Sequence, residues 1–464
     1  MSAELGHFAK VQGGFAFKSK DFGEDGIPVV KIANVTGGGF VDLNSYECIQ
    51  PSLYPRIGQF LTEPDDVLIA MTGANVGKVV RIGREQPQCA INQRVGRLQL
   101  KGDCEYSKDF FYYLTSSPTG YQHFIGTAYG SAQPNISGAL IERLQVPNIP
   151  PITANQAAGF LRKIDDKIQL NQQINQTFEQ MAQAIFKSWF VDFEPVKAKI
   201  AALEAGGSEE DAQLAAMQAI SGKDAAALAT EHPDQYNELR TTAELFPSAM
   251  HDSELGEIPA GWSVGTLNDL AHLNKNTWSK RTLPPEIDYV DLANTKNGVI
   301  ETVTKYVSDD APSRARRILS EDDTIIGTVR PGNRSFAFIK RSSSALTGST
   351  GFAVLTPKHK ALSEFVYIAA TCDESINQLA HLADGGAYPA VRADVVASLT
   401  SIIPTDEVLH RFHDIARPYF ECIANLKIES ASLEQTRDAL LPKLLSGELT
   451  VTEAKDAEHV DVLN

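Results

Sequence analysis

The strongest constraint on this chain is an internal repeat, in which segments of the first half return in the same order in the second half. Farther along each half the offset settles at 255 residues, the distance from Asp109 to Glu364. A repeat of this length predicts two related halves. The matching pairs are Ile27–Asn34 with Ile287–Asn294, Asp65–Ile69 with Asp322–Ile326, Asp109–Leu114 with Glu364–Ala369, and Gly130–Pro134 with Gly385–Pro389.

Both halves begin with a region that reads as a mixed α/β domain, over residues 1–150 and 261–404. Short β-branched or alternating runs separated by Gly and Pro turns are typical of strands, and helical patterns follow near 108–116 and 362–372. The fold class expected is therefore α/β (α+β). The strand candidates include Val29–Ile32, Val67–Met71, Val79–Ile82, Thr324–Thr328 and Phe336–Ile339.

Each half then runs into a long helical segment, over residues 151–200 and 405–450. Apolar residues stand seven apart in the second segment, and subtracting 255 recovers the pattern in the first. We expect the helices to pair antiparallel as a coiled coil, with Pro418 and Pro442 kinking or interrupting the second. The seam candidates are Ile164, Ile168, Phe178, Ile185, Phe186, Trp189 and Phe190, and Tyr419, Leu426, Leu433, Leu440 and Leu444.

The formal net charge of −16 is concentrated in two segments. Residues 201–261 carry −10 and residues 405–464 carry −6, whereas residues 1–150 and 262–404 carry −1 and 0. We expect 201–260 to be an acidic, Ala-rich helical insert, with a capping box at Ser208 and a helix end at Gly222. Residues 451–464 are expected to form a flexible acidic tail. The overall charge therefore does not exclude nucleic acid as a partner of the two α/β domains.

Motifs for catalysis or metal binding are weak in this chain. Gly73–Lys78 resembles a phosphate loop but has too short a spacing and lacks the Ser/Thr that holds magnesium. His410 and His413 have no third metal ligand in view, and we expect a solvated or capping role for them. The five cysteines never stand in C-x-x-C spacing. We expect a chain that is not catalytic by itself and binds no cofactor or metal.

Basic and amide side chains instead cluster on predicted loops at comparable places in the two repeats, around 72–97 and 313–341. Arg is suited to guanine, Asn and Gln to adenine, and Lys or Arg to phosphate. A surface ion pair is the more frequent role of any single Arg, but two matched clusters favour DNA binding. The candidates are Asn75, Lys78, Arg81, Asn92, Gln93, Arg94 and Arg97, and Arg314, Arg316, Arg317, Arg330, Asn333 and Arg334.

Three further segments complete a pattern that resembles the specificity subunit of type I restriction–modification enzymes over essentially the whole chain. They are Ala184–Glu194, Gly256–Trp262 and Leu440–Leu449. The resemblance implies two target-recognition domains that each read one half of a bipartite double-stranded DNA site, separated by two helices that set the spacer.

The resemblance also implies a set of partners and their cofactors. Two methyltransferase subunits, which bind S-adenosylmethionine and methylate adenine, would dock on the chain, and we expect Phe186, Trp189 and Phe190 with Leu440 and Leu444 to contribute to that dock. Restriction subunits that use ATP and Mg²⁺ would join them. Packing within the chain is the competing role for Trp189.

One other function class stays open, a non-catalytic scaffold whose duplicated domains bind proteins through the acidic 201–261 segment. Such a scaffold would show no salt-dependent affinity for DNA. The sequence shows neither a signal peptide pattern nor a long apolar run, so we expect a cytoplasmic protein without a membrane partner.

Overall fold

The computed structural model describes residues 3–128, 135–343, 345–386 and 388–458. The predicted repeat segment Gly130–Pro134 therefore lies largely outside the described residues. The chain divides into two units, and each contains one α/β domain and parts of both long helices. The first unit is Met1–Asn171 with Ile428–Asn464, and the second is Gln172–Lys427.

The domain of the first unit is built on two mixed sheets whose buried faces are rich in Val and Ile. A five-stranded sheet has the order Ala9–Gly13, Val95–Leu100, Val67–Ala70, Val79–Arg81 and Gly39–Phe40. A four-stranded sheet has the order Phe22–Gly23, Glu47–Ile49, Ile27–Val30 and Ala90–Ile91. Ala3–Glu4 pairs with Gln145–Val146. The helices are Leu5–Phe8, Tyr54–Ile57, Lys108–Ser116, Pro118–Ala128 and Gly138–Ile141.

The domain of the second unit has the same plan. One four-stranded sheet has the order Ala271–Leu273, Phe352–Pro357, Thr324–Gly327 and Phe336–Phe338. The other has the order Thr304–Val307, Glu286–Val290, Leu346–Ser349 and Ala315–Ile318. Two further strand pairs are Ser263–Thr266 with Thr400–Ile403 and Thr295–Lys296 with Val299–Ile300. The helices are Leu267–Leu270, Ser363–Thr371, Asp373–Leu382 and Ala393–Ala397.

The turn before one core strand shows the repeat in atomic detail. Asp65 and Asp322 both have left-handed backbones, with φ of 66° and 69°. The next carboxylate accepts a hydrogen bond from a backbone N–H three residues upstream, at 2.9 Å for Asp66 and 2.8 Å for Asp323. The prediction of two copies of one α/β fold is confirmed.

The two long helices are Pro151–Phe190 and Asp406–Ser446, each roughly 60 Å long at 1.5 Å per residue. The second helix runs through Pro418 and Pro442, so the predicted interruption is absent. Buried apolar residues on both sides of each proline, such as Ala416 and Phe420, hold the helix in place and offset the lost backbone hydrogen bond.

Within each unit the helix segments run antiparallel. In the first unit, Asp165 pairs with Arg437 at 2.9 Å, and Asn171 donates to Glu429 at 2.8 Å. In the second unit, the ring of Phe178 stacks on Tyr419 with centroids 5.5 Å apart, and Phe186 meets Phe412 at 6.1 Å. Residue numbers rise along one helix as they fall along the other in both units.

The acidic insert is helical only in part. Its helices are Glu194–Glu204, Glu209–Ser221, Ala225–Ala229 and Pro233–Glu244, and the predicted cap at Ser208 and left-handed end at Gly222 are present. Residues Met250–Ser253 and Gly256–Pro259 form a β-hairpin, which corrects the helical expectation for the end of the insert.

The expected flexible tail is also ordered over its first part, because Val451–Glu458 is helical. Thr450 and Glu453 cap this helix reciprocally, with the Thr450 N–H donating to the carboxylate at 2.8 Å. This T-x-x-E pattern is the signal that the expectation of a tail overlooked.

A buried ion pair joins the first domain to its helix. Arg81 is 1% exposed, donates to Asp165 at 2.8 Å and lies over the ring of Tyr112 at 4.6 Å. In the second unit Phe338 holds the place of Arg81, because it pairs with Thr324 as Arg81 pairs with Val67.

Phe338 stacks on Tyr367 at 4.9 Å and meets Phe420 at 5.3 Å. By the 255-residue offset, Tyr367 and Phe420 correspond to Tyr112 and Asp165. The two repeats therefore fill one position with an ion pair and with an aromatic pair.

We predict that Arg81→Phe lowers the free energy of unfolding by about 3 kcal/mol, because it removes one partner of a buried charge pair. The double variant Arg81→Phe/Asp165→Phe should recover half or more of this loss, since it reproduces the aromatic pair of the other repeat. Urea unfolding of the full chain measures both, with exposed Lys163→Ala as the control. Strictly additive losses from the two substitutions would contradict the compensation.

Burial raises the pKa of Asp323 to about 6, against the hydrogen bonds from Thr356 and Ser320. A raised carboxyl pKa favours the folded state below the unfolded value near 3.8, and this advantage is lost as the pH rises through about 6.

We predict that wild-type protein loses on the order of 2–3 kcal/mol of stability relative to Asp323→Asn between pH 4 and pH 7. Denaturant unfolding at pH 4, 5, 6 and 7 measures the difference. A constant difference across this range would show that Asp323 does not titrate there.

Candidate nucleic-acid interface

Three loops of the first domain meet around Met71. The Met71 N–H donates to the carbonyl of Arg94 at 3.0 Å, and the Met71 carbonyl accepts from the Ile136 N–H at 2.9 Å. Thr72 forms a β-bridge with Asn135. These backbone contacts join loops 72–78, 92–94 and 135–137 into one surface.

The second domain repeats this arrangement around Thr328. The Thr328 N–H donates to the carbonyl of Gly351 at 2.8 Å, and the Thr328 carbonyl accepts from the Val391 N–H at 2.9 Å. Val329 forms a β-bridge with Ala390. The loops joined here are 329–335, 349–351 and 388–391, and in both domains we call this set the three-loop surface.

The first loop closes in the same way in both domains, since the Ala70 N–H donates to Lys78 and the Gly327 N–H donates to Ser335. In the first domain the left-handed positions of this loop are Gly73 and Gly77, with φ of 77° and 78°. In the second domain the corresponding residues are arginines. Arg330 has φ of 50° and Arg334 has φ of 59°.

An arginine in a left-handed backbone costs roughly 1–2 kcal/mol. Arg334 pairs with the exposed Asp373 at 2.7 Å, an interaction worth at most about 1 kcal/mol. Arg330 lies over the ring of Tyr388 at 4.8 Å, worth about 0.5–1 kcal/mol at an exposed site. These contacts do not exceed the strain, and strained residues of this kind cluster at functional sites.

The predicted DNA-binding residues of the first domain fall into two groups. Gln93 and Arg94 are exposed on the three-loop surface, with Asn92 and Lys78 half-buried beside them. The Asn75 side chain donates to the Ile32 carbonyl at 2.9 Å, which braces this loop against the 32–34 turn.

Arg81 and Arg97 are corrections to that prediction, because both are inside the domain. Arg81 forms the buried pair with Asp165 described above. Arg97 is 8% exposed and donates to the carbonyls of Gln59 and Leu61, each at 2.6 Å. Both guanidinium groups are committed to the fold and are not available to DNA.

The predicted residues of the second domain mostly reach the surface. Arg330 and Asn333 are exposed on the three-loop surface, with Arg334 half-buried. Arg314 is exposed, and its carbonyl accepts from the Thr350 N–H at 2.8 Å, so it lies beside loop 349–351.

Arg316 and Arg317 are half-buried on the neighbouring strand. Burial lowers the pKa of Arg317, whose guanidinium donates to the hydroxyl of Thr277 at 3.4 Å. These two arginines support the edge of the domain more than its open surface.

Tyr388 was not among the predicted site residues, although it is 72% exposed and lies next to Arg330. Its sequence signal was the repeated Gly385–Pro389 segment, which was interpreted only as evidence of duplication. An exposed aromatic residue within such a segment marks a recognition position.

The predicted seam residues lie within the helix pairs of their units. Trp189 is 2% exposed and packs against Phe246 of the insert at 5.0 Å and against Phe412 at 6.2 Å. A docking contact needs an accessible side chain, so packing within the chain replaces the docking role expected for Trp189. Ile164, Ile168, Phe186, Phe190, Leu433, Leu440 and Leu444 are buried, and Phe178, Ile185, Tyr419 and Leu426 are half-buried.

The histidine pair and the search for ion sites give no catalytic centre. His413 is buried and hydrogen-bonded to the carboxylate of Glu364, which corrects its expected solvated role. Among the residues described here, no three His, Cys, Asp or Glu side chains are grouped to hold a metal ion. In the same part of the chain, no helix is both long and apolar enough to cross a bilayer.

Comparison with known proteins places this geometry in a family. Residues 1–180 match the family model described as the type I restriction modification DNA specificity domain. The chain fold matches the crystal structure of a type I restriction-modification S subunit from M. genitalium, with a TM-score of 0.51, 15% identity and coverage of 96% of this chain and 95% of that one.

Two curated relatives extend the likeness. The type I restriction enzyme HindI specificity subunit of Haemophilus influenzae is 30% identical over 356 residues, 73% of this chain and 76% of that protein. The MjaIX specificity subunit of Methanocaldococcus jannaschii is 24% identical over 355 residues, 74% of this chain and 70% of that protein. The duplicated α/β domains, the long helices and these relatives together show that the chain belongs to the family of type I restriction–modification DNA specificity subunits.

Proposed function

We propose that each three-loop surface contacts one half of a bipartite double-stranded DNA target and so sets the sequence specificity of a type I complex. The observation that carries this proposal is the duplication of one backbone arrangement with exposed basic and amide side chains, Gln93 and Arg94 in one domain and Arg330 and Asn333 in the other. Side chains of these types read base edges in the major groove.

The charge distribution supports the same assignment. The two domains are close to neutral, with −1 for residues 1–150 and 0 for residues 262–404, so exposed basic loops meet no general repulsion from DNA. The acid excess lies in the insert and toward the C-terminus, where it would repel DNA from surfaces that do not read it. The interaction-scaffold alternative has no support from the relatives, whose descriptions concern restriction enzymes.

The proposal assigns chemistry to partners and recognition to this chain. Methyltransferase subunits that bind S-adenosylmethionine would dock on the helices outside the buried cluster of Trp189, and restriction subunits would use ATP and Mg²⁺. The chain itself would bind no cofactor, and it would act in the cytoplasm with these partners.

We predict that Gln93→Ala/Arg94→Ala weakens DNA binding about 5- to 100-fold, because each lost base contact removes roughly 1–3 kcal/mol. Mapping methylated adenines in cells that express the chain with its methyltransferase should show one half of the target motif relaxed and the other half unchanged. If Arg94 contacts a phosphate, the slope of log affinity against log salt should become shallower by about 1.

The charge-matched control is Lys20→Ala, which removes an exposed cation of the same domain that lies away from the three loops. Wild-type affinity and an unchanged motif in the Gln93/Arg94 variant would contradict the proposed surface.

A further inference from the structure

We propose that Arg330 and Tyr388 form a base-reading element of the second domain, and that the half-site read by this domain contains a guanine contacted by Arg330. This inference rests on the proposed function and adds to it a residue pair and a base.

The backbone of Arg330 is held from two sides. Its N–H donates to the carbonyl of Pro389 at 2.7 Å, and the preceding residue, Val329, pairs with Ala390. The left-handed φ of 50° is maintained by these contacts between two loops. In the first domain the corresponding position is Gly73, so the fold of this loop does not itself require a side chain there.

The side chain is held as well. The guanidinium of Arg330 lies 4.8 Å from the ring centroid of Tyr388, and both residues are exposed. A stacked guanidinium keeps its plane and loses less freedom on binding than a mobile one. The pair therefore presents a planar fork of N–H donors at the surface of the domain.

A planar fork fits one base in particular. Guanine offers the O6 and N7 acceptors side by side in the major groove, and Arg donates to both. A phosphate contact requires charge but no fixed plane, and Lys satisfies it. The stacking of Arg330 thus favours guanine over the DNA backbone.

Arg334 supplies a control within the same loop. It has the same residue type and a left-handed φ of 59°, but its guanidinium is bound to Asp373 at 2.7 Å and to the Asn297 side chain at 3.1 Å. These contacts anchor the base of the loop. Strain alone therefore does not mark a reading residue, and the exposed stack distinguishes Arg330.

The experiment uses the full chain with its methyltransferase partner, acting on genomic DNA, with methylated adenines mapped by sequencing. Arg330→Gly should relax a guanine position in one half of the wild-type motif and leave the other half unchanged. Its affinity for a duplex carrying the wild-type motif should fall about 5- to 100-fold. Its melting temperature should not fall, because glycine relieves the left-handed strain.

Three further variants test the role of the side chains. Arg330→Lys should relax the same guanine position, Tyr388→Leu should weaken binding while Tyr388→Phe does not, and Arg334→Gly should keep the motif. The inference is overturned if Arg330→Gly or Arg330→Lys methylates the unchanged motif, or if neither half of the motif contains guanine at a position sensitive to Arg330. Failure of the proposed function is distinct, since wild-type protein would then yield no bipartite motif.

Discussion

Buried ionic contacts that hold each α/β domain on its own helix segments are the constraint on which recognition depends. In the first unit, Arg162 of the long helix pairs with Asp65 at 2.7 Å and with Asp109 at 2.8 Å. Such pairs contribute little net stability, because desolvation offsets their attraction, but they require a defined geometry. A loop surface can read a base sequence only when its domain is held in a fixed position on the helices that support it.

The second unit meets this constraint with different cations. Asp322 and Glu364 occupy the repeat positions of Asp65 and Asp109, and Lys340 bridges them while His413 of the long helix bonds to Glu364. Burial alone would raise the pKa of Glu364, but the hydrogen bond to His413 and the charge of Lys340 outweigh it and lower that pKa. The acids persist between the repeats, and the bases that neutralise them do not.

The parts of the structure that were predictable from sequence are those set by local periodicity and by duplication. The long helices followed from heptad spacing and the two domains from matched segments. The site was predictable only at exposed loop tips such as Arg94. Arg81 was misassigned because its role depends on Asp165, 84 residues away, although its position within the apolar run Val79–Ile82 was a sign of burial. Trp189 was misassigned because Phe246 of the insert covers it.

The two three-loop surfaces differ in what they bring to DNA. In the first domain, glycines at 73 and 77 leave the loop backbone bare, so its N–H and carbonyl groups approach a ligand without hindrance from Cβ atoms. In the second domain, arginines at 330 and 334 hold the same backbone course at a cost in strain, and they place guanidinium groups at that edge. Duplication thus preserved the course of the chain while the side chains diverged. Two copies of one fold read an asymmetric target because one uses its backbone where the other uses arginine.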